Sequence, residues 1–277
     1  MPEPRGMPKR GVPKRGSPSG NREAPTVLHA AREKAVITIV PEELTASNES
    51  ANILIHGNSG VGKTTLIGSA PRAVFLSTEQ GTISAKRTGS KAQLIRALDW
   101  DTIQAGIAWA YANLTSADWL LVDSLTKMQI LMIRGILSDI HEENDTRDLD
   151  IPGIQDHQKW QNMFMRFVDK IVDGPFNSIL VTTSMIKEDP EGESIVLPSI
   201  TGKDYTISNY VCAQMDEVFY LDVAPRQKNE PTVRRLRTQT FPPYFAKDRY
   251  GIFPRRIDIP DGEYDTMARL IEQIGNS

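Results

Sequence analysis

The sequence predicts a three-layer α/β fold with a mostly parallel central sheet and a small antiparallel extension near the C-terminus. Three observations predict it. Short continuous apolar runs recur along the 277 residues, apolar residues at helical spacing lie between them, and an alternating stretch follows near the C-terminus. Continuous rather than alternating apolar runs are typical of strands that are buried on both faces, as parallel sheets require.

Six apolar runs are candidate strands of the parallel sheet. Each is short enough for a strand and is separated from the next by polar residues. The runs are Val36–Val40, Ile53–Ile55, Ala73–Leu76, Trp119–Val122, Ile179–Thr182 and Glu217–Leu221. The alternating stretch Thr232–Thr240, followed by Pro242-Pro243, predicts an antiparallel strand at an edge.

Apolar residues at helical spacing lie between these runs. Residues 156–172 place five apolar side chains on one helix face: Trp160, Phe164, Phe167, Val168 and Ile171. Residues 124–138 show the same spacing, and the alternation of strands and helices predicts a three-layer domain. The segment Asp139–Asp150 carries six acidic residues and predicts a solvated loop.

Net charge is distributed unevenly along the chain. The whole sequence has a net charge of −3, but residues 1–25 contain six basic and two acidic side chains, which leaves −7 for the remainder. These residues also hold six of the 18 prolines and a repeated Pro-Lys-Arg-Gly unit, which disfavours helices and strands. We expect a disordered basic tail over residues 1–30 and a folded domain over 31–277. The tail is either an arm for nucleic acid or acidic surfaces, or a solubilising leader.

Composition excludes several classes of protein. The single cysteine, Cys212, excludes a disulfide framework and a cysteine-rich zinc site. No apolar run approaches the roughly 20 residues that cross a bilayer. The basic N-terminus is not followed by the apolar segment of a signal peptide. We therefore expect a soluble, cytoplasmic protein without membrane contact.

The strongest motif is Gly-x-x-x-x-Gly-Lys-Thr, which follows the candidate strand Ile53–Ile55 and opens a short helix predicted over Thr64–Ala70. In this context, glycines let consecutive backbone N–H groups surround a phosphate at a helix N-terminus. Lys63 would bridge the β- and γ-phosphates of ATP, and the Thr64 hydroxyl would bind Mg²⁺. The predicted nucleotide-binding residues are Gly57, Asn58, Ser59, Gly60, Val61, Gly62, Lys63, Thr64 and Thr65.

Two carboxylates are candidates for the chemistry. Asp123 directly follows the run Trp119–Val122, so it would lie at the C-terminal edge of the sheet, where open α/β sheets bind ligands. There it would hold Mg²⁺ through water. Glu79 follows the run Ala73–Leu76 and would reach the same edge, where a carboxylate can orient or deprotonate an attacking water. An ordinary loop glutamate is the alternative interpretation.

An ordered set of motifs spans about residues 50–255. It comprises Gly-Lys-Thr-Thr, Ser69-Ala70-Pro71, Thr78-Glu79-x-Gly81, Val122–Thr126, Pro198-x-x-x-Gly202-Lys203 and Ala246–Gly251. This set resembles the phage RecA-core ATPases of the Sak type, which are related to RecA, RadA and the DnaB helicase core. The resemblance implies a RecA-like fold that uses ATP and Mg²⁺ and assembles as a ring or filament. It also implies action on single-stranded DNA with phage recombination or replication proteins, in the host cytoplasm.

The resemblance also assigns roles to three cations. Lys247-Asp248-Arg249-Tyr250-Gly251 resembles the Lys-Asn-Arg-Phe-Gly motif of RadA. In such assemblies these cations reach the γ-phosphate of the neighbouring subunit. Lys247 and Arg249 would therefore act in trans on charge that develops during phosphoryl transfer. Lys203 would contact nucleotide phosphate.

Two positions depart from the pattern of this family. Ser77 stands where the family often has Asp, next to the candidate Glu79. The strand Ile179–Thr182 is followed by Thr183-Ser184, where RecA-like proteins often place Gln or His to sense the γ-phosphate. A hydroxyl can still hydrogen-bond phosphate, so Thr183 is the candidate sensor.

Two loops would face the axis of a RecA-like assembly, where DNA would pass: Asp139–Asp156 and Lys187–Tyr205. The first is acidic and therefore a poor phosphate surface, and residues 188–193 of the second predict a hairpin tip. A further basic group would follow a nucleic-acid backbone or meet the neighbouring subunit, with Arg235 and Arg237 on one face of a strand. Its members are Arg226, Lys228, Arg234, Arg235 and Arg237.

Three other functions fit some of these features. A hexameric DNA translocase or helicase would share every motif. A nucleotide-controlled scaffold would bind ATP, oligomerise and recruit partner proteins with little turnover. A small-molecule kinase would need only the phosphate loop and the metal site, but the sequence shows no resemblance to an acceptor lid.

Overall fold

A computed structural model describes residues 50–146, 148, 151–188, 191–202, 206–225 and 230–277. The strands are β1 Asn52–His56, β2 Ala73–Ser77, β3 Gln93–Arg96, β4 Trp119–Asp123, β5 Asn177–Thr182, β6 Ser184–Glu188, β7 Ser194–Pro198, β8 Glu217–Val223, β9 Val233–Arg237, β10 Lys247–Asp248 and β11 Arg256–Pro260. The helices are α1 Lys63–Ile67, α2 Thr82–Arg87, α3 Trp100–Asn113, α4 Leu125–Glu143, α5 Ile154–Val172, α6 Thr206–Gln214 and α7 Thr266–Gly275. The predicted tail, the boundary at residue 31 and the candidate strand Val36–Val40 lie outside the described residues.

Nine of the strands in the described part of the chain form one sheet. Their order is β11-β9-β8-β1-β5-β4-β2-β3, with β10 paired to β8. The six strands from β8 to β3 run parallel, whereas β9, β10 and β11 pair antiparallel. The predicted mostly parallel sheet with an antiparallel C-terminal extension is confirmed. Strands β6 and β7 form a separate antiparallel hairpin.

Helices cover both faces of the sheet and create two apolar cores. Strands β1, β2 and β4 are buried along their whole length, as their continuous apolar runs predict. Leu54 on β1 packs into a core built with α3, α4, α5 and α6. Its neighbours Ile53 and Ile55 point to the other face, where they pack with α1 and α7. The domain therefore has the predicted three layers. In the described residues, no helix is both long and apolar enough to cross a bilayer.

The two predicted long helices are present with shifted ends. Ser124 caps α4, because its hydroxyl accepts a hydrogen bond from the N–H of Lys127. This helix continues to Glu143, so the prediction of a loop that begins at Asp139 is wrong. Ile140 packs against the core and keeps this last turn on the domain. Helix α1 ends at Ile67, before the predicted Ala70, with Gly68 at its C-cap.

A buried carboxyl group lies at the N-terminal end of β8. Glu217 is fully buried, and its Oε1 accepts hydrogen bonds from the N–H groups of Arg249 and Tyr250 at 3.0 and 3.2 Å. Its Oε2 has no hydrogen-bond partner among the described residues. Burial raises the pKa of Glu217 to about 8, with nearby Asp248 adding to the rise and the bond from Tyr250 opposing it.

We expect Glu217→Gln to reduce the loss of stability as the pH rises from about 5 to about 8. The pKa of Glu217 rises from 4.5 to about 8 on folding, so the folded state holds the proton more tightly. The free energy of unfolding therefore falls as the pH rises through this interval. Urea denaturation near pH 5 and near pH 8 should show a fall at least ~1 kcal/mol smaller in Glu217→Gln than in wild type. Glu272→Gln, on an exposed position of α7, should behave as wild type. Equal pH dependence in all three proteins would contradict the expectation.

Candidate active site

The segment between β1 and α1 forms a tight loop at the C-terminal edge of the parallel strands. Gly60 and Gly62 have positive φ angles of 81° and 101°, which residues with a Cβ rarely adopt. Gly57 approaches β8 so closely that a Cβ would lie 2.2 Å from the carbonyl oxygen of Leu221. The path of this phosphate loop, residues 57–62, therefore requires the glycines that the motif contains.

Lys63 begins α1 and its side chain folds back over the phosphate loop. Its ammonium group donates hydrogen bonds to the carbonyl oxygens of Gly57 and Asn58, both at 2.8 Å. The side chain is buried. Burial lowers the pKa of Lys63, and the charges of Asp123 and Glu79 act in the opposite direction. The loop thus carries a cation that can contact an anionic phosphate.

Thr64 and Asp123 bring a hydroxyl and a carboxylate together beside the loop. Thr64 Oγ1 donates a hydrogen bond to Asp123 Oδ2 at 2.7 Å. Burial raises the pKa of Asp123, the bond from Thr64 opposes this rise, and Glu79 adds to it. These hard oxygen donors fit Mg²⁺, which usually takes one or two protein ligands and completes its shell with phosphate and water. The described residues contain no cluster of three or more His, Cys, Asp or Glu side chains that could hold a metal.

Glu79 lies next to Asp123 because β2 and β4 are neighbouring parallel strands. Its Oε1 accepts a hydrogen bond from Ser124 Oγ at 2.7 Å. Ser77, at the position that departs from the family pattern, holds the same turn: its hydroxyl donates to the carbonyl of Glu79 at 3.0 Å. The two predicted carboxylates therefore meet at one edge, and the hydroxyl of Ser77 supports the turn that carries Glu79.

Thr183 lies at the same edge, directly after β5. Its N–H donates a hydrogen bond to Thr126 Oγ1 at 3.2 Å, which ties its backbone to the start of α4. Because β5 pairs with β1, Thr183 follows the strand adjacent to the one that leads into the phosphate loop. The structure thus brings the candidate sensor to the edge that also carries Lys63 and Asp123.

His56, the last residue before the phosphate loop, was not identified from the sequence. Its ring is fully buried, with Nε2 at 2.8 Å from the carbonyl oxygen of Phe245 and Nδ1 at 2.9 Å from Ser184 Oγ. A carbonyl can only accept, so Nε2 donates and Nδ1 accepts from Ser184. Burial lowers the pKa of His56 to about 4, which keeps the ring neutral near pH 7. His56 therefore connects the phosphate loop to the β6–β7 hairpin and to the segment before β10.

Lys247 and Arg249 lie away from their own phosphate loop. Strand β10 pairs with the N-terminal end of β8, whereas the loop touches Leu221 further along β8. Lys247 donates hydrogen bonds to carbonyl groups at the end of α6, including that of Met215 at 2.5 Å. Arg249 pairs with Asp216 at 2.5 Å and its side chain is 51% exposed. The third predicted cation, Lys203, lies outside the described residues.

Arg234 contacts the phosphate loop, and this contact was not predicted from the sequence. Its Nε donates a hydrogen bond to the carbonyl oxygen of Val61 at 3.1 Å. Arg235 and Arg237 share the other face of β9, as predicted, and both approach Asp222. The structure thus separates Arg234 from the basic group to which the sequence analysis assigned it. Only the alternation of side chains along a strand could have indicated this separation from the sequence. It places Arg234 on the same face as the buried Leu236 and opposite Arg235 and Arg237.

Comparisons with known proteins identify the family of this chain. A search of curated proteins gave no match. Among solved structures, a KaiC-like protein from Pyrococcus horikoshii is similar with a TM-score of 0.44 and 16% identity, over 76% of this chain and 85% of that chain. The flagellar accessory protein FlaH from Methanocaldococcus jannaschii is similar with a TM-score of 0.39 and 12% identity, over 78% of this chain and 88% of that chain. The family model AAA_24, described as an AAA domain, matches residues 49–250, and the chain therefore belongs to this family of AAA domains.

Proposed function

We propose that the chain is a Mg²⁺-dependent, RecA-like ATPase that assembles as a ring or filament and acts on single-stranded DNA in phage recombination or replication. The observation that carries the ATPase proposal is the meeting of Lys63, Thr64, Asp123 and Glu79 at one sheet edge. These residues would supply a phosphate-binding cation, one direct and one water-mediated contact to Mg²⁺, and a carboxylate for the attacking water. Membership of the AAA domain family supports nucleotide binding and hydrolysis. The DNA and phage roles come from the motif resemblance.

ATP would bind with its phosphates against the N–H groups of the phosphate loop. Lys63 would exchange the carbonyl groups of Gly57 and Asn58 for oxygens of the β- and γ-phosphates. Thr64 would hold Mg²⁺ directly and Asp123 would hold it through water. When bound, the ion would neutralise charge on the transferring phosphoryl group. Lys203 and Thr183 are proposed phosphate contacts from the resemblance.

Glu79 is the proposed group that activates water. One of its carboxylate oxygens is held by the Ser124 hydroxyl, and the side chain is exposed at the edge of the sheet. The other oxygen can accept a proton from a water that attacks the γ-phosphorus in line. The bond from the γ-phosphorus to the bridging oxygen then breaks, giving ADP and phosphate.

Assembly would complete the site through Arg249 of a neighbouring subunit. Arg249 and Lys247 point away from their own phosphate loop and lie at the end of α6. In a ring or filament where this surface faces the next phosphate loop, Arg249 would reach that loop's γ-phosphate and stabilise developing charge. Hydrolysis would then depend on contact between subunits.

The β6–β7 hairpin is the proposed contact for single-stranded DNA. It begins immediately after β5, at the edge that carries the phosphate loop, and it exposes Ile186 and Lys187. The hydrogen bond between His56 and Ser184 links its base to the strand before the phosphate loop. This contact gives DNA binding at the hairpin a direct structural connection to the nucleotide.

Lys63→Ala should abolish ATP hydrolysis, because it removes the cation at the phosphates. We expect a loss of ~100-fold or more, measured as phosphate release with and without single-stranded DNA. DNA should stimulate the wild-type protein and leave the variant inactive. If wild type is no faster than Lys63→Ala under both conditions, the enzyme proposal fails, and retained ATP binding would then favour the scaffold. ATP-driven directional strand displacement would favour the translocase.

Glu79→Gln should block hydrolysis while keeping nucleotide binding. Glutamine preserves the hydrogen bond from Ser124 but cannot take a proton, so we expect a loss of about 10²- to 10⁴-fold. Single-turnover hydrolysis measures the loss, and equilibrium titration with a fluorescent ATP analogue measures binding. Glu272→Gln is the matched control. Near-normal turnover in Glu79→Gln would exclude Glu79 as the group that activates water.

Mixing inactive Lys63→Ala and Arg249→Ala proteins should restore activity if Arg249 acts in trans. Interfaces that join an intact phosphate loop to an intact arginine form at random, so about a quarter of wild-type activity is expected at equal amounts. Arg256→Ala, in which an exposed arginine on β11 is removed, should remain active alone. Light scattering must show co-assembly. Co-assembly without any recovery would argue against the trans role.

A further inference from the structure

We propose that Arg234 is a second phosphate-binding cation of the nucleotide site, supplied in cis by the antiparallel extension. This inference rests on the proposed nucleotide-binding function and adds a residue to it. Arg234 would hold the phosphate loop through Val61 and direct its positive charge to the bound phosphates. Strand β9 would thereby become part of the site, although it lies outside the phosphate-loop motif.

The geometry of the loop leaves room for this guanidinium. Arg234 Nε donates to the carbonyl oxygen of Val61 at 3.1 Å. A Cβ added to Gly62 would lie 2.6 Å from the same Nε, so any larger residue at this position would displace the arginine. The absence of a side chain at Gly62 therefore serves two purposes. It permits the positive φ of 101°, and it lets the guanidinium pack against the backbone just before Lys63.

Arg234 is also the arginine of β9 whose partner carboxylate is most exposed to solvent. Arg237 forms a hydrogen-bonded pair with Asp222 at 3.2 Å, and Arg235 lies 3.9 Å from the same carboxylate, whose side chain is only 19% exposed. Among the described residues, the carboxylate nearest Arg234 is that of Asp261, at 3.7 Å, and its side chain is 56% exposed. This separation exceeds a normal hydrogen bond, and an exposed pair contributes little. The guanidinium therefore keeps charge and N–H donors for another anion.

The electrostatics of the site explain why a second cation is useful. Lys63 interacts with both Asp123 and Glu79, so two carboxylates offset the charge of one ammonium group. Helix α1 has five residues, and so short a helix contributes only a small dipole at its N-terminus. A nucleotide brings several negative charges to this place. Arg234 approaches the loop through Val61 and Gly62, where it would balance part of that charge.

Equilibrium binding of a fluorescent ADP analogue tests the inference. Arg234→Gln should weaken binding about 10- to 100-fold, the effect of losing one charged hydrogen-bond donor. Arg234→Lys keeps the positive charge and should stay within about fivefold of wild type. Arg235→Gln, on the other face of the same strand, should bind as wild type. Binding by Arg234→Gln should also depend less on salt, which loss of a purely structural contact would not cause.

Two outcomes would overturn the inference: unchanged binding in Arg234→Gln, or an equal loss in Arg234→Lys and Arg234→Gln.

Asp261→Asn provides a second test on a surface position that does not threaten folding. Removing this carboxylate should tighten ADP binding by about twofold at low salt, and unchanged or weaker binding counts against the proposal. Wild type must bind the analogue and Lys63→Ala must bind it more weakly. If wild type does not bind the analogue, the proposed nucleotide-binding function itself has failed. If wild type binds and only the Arg234 results differ from expectation, the inference about Arg234 has failed.

Discussion

Parallel pairing is the constraint on which the rest of the structure depends. Strands β1, β5, β4 and β2 are neighbours in the sheet and run in one direction, so their C-terminal ends must meet at one edge. The phosphate loop, Thr183 and Glu79 each follow one of these strands, and Asp123 is the last residue of β4. Parallel pairing alone therefore brings together residues that are distant in the sequence. Strand β9 of the antiparallel extension brings Arg234 into contact with the phosphate loop.

The site is balanced between positive and negative groups rather than simply basic. Asp123 is buried with a raised pKa, and Lys63 is buried with a lowered pKa, so burial disfavours the charged form of each group on its own. In the proposed complex, the phosphate chain would stabilise the charged form of Lys63, and the divalent cation would stabilise the charged form of Asp123. Under the proposed function, this arrangement would favour joint binding of nucleotide and Mg²⁺ over binding of either alone.

The sequence predicts the parallel strands and the phosphate loop because these features are local. Continuous apolar runs mark β1, β2 and β4, and the glycines of the loop are required by its own backbone. Strand β3 was missed because it lies at the sheet edge and is mostly exposed, which removes the apolar run that would reveal it. His56 and Arg234 were missed for another reason. Their partners, Phe245 and Val61, lie 189 and 173 residues away along the chain, so only the folded structure brings them together.

The contacts of Lys247 and Arg249 suggest different roles for the two cations of the RadA-like motif. Lys247 bonds to carbonyl groups at the end of α6, and burial lowers its pKa, so its release would leave polar groups of α6 without their partner. Arg249 is half exposed in its pair with Asp216, whereas the Asp216 carboxylate is buried. In the proposed assembly, Arg249 would exchange Asp216 for the phosphate of a neighbouring subunit, and Asp216 would keep its hydrogen bond from the N–H of Asn52. Lys247 would remain in place and, with Glu217, hold the turn from which Arg249 extends.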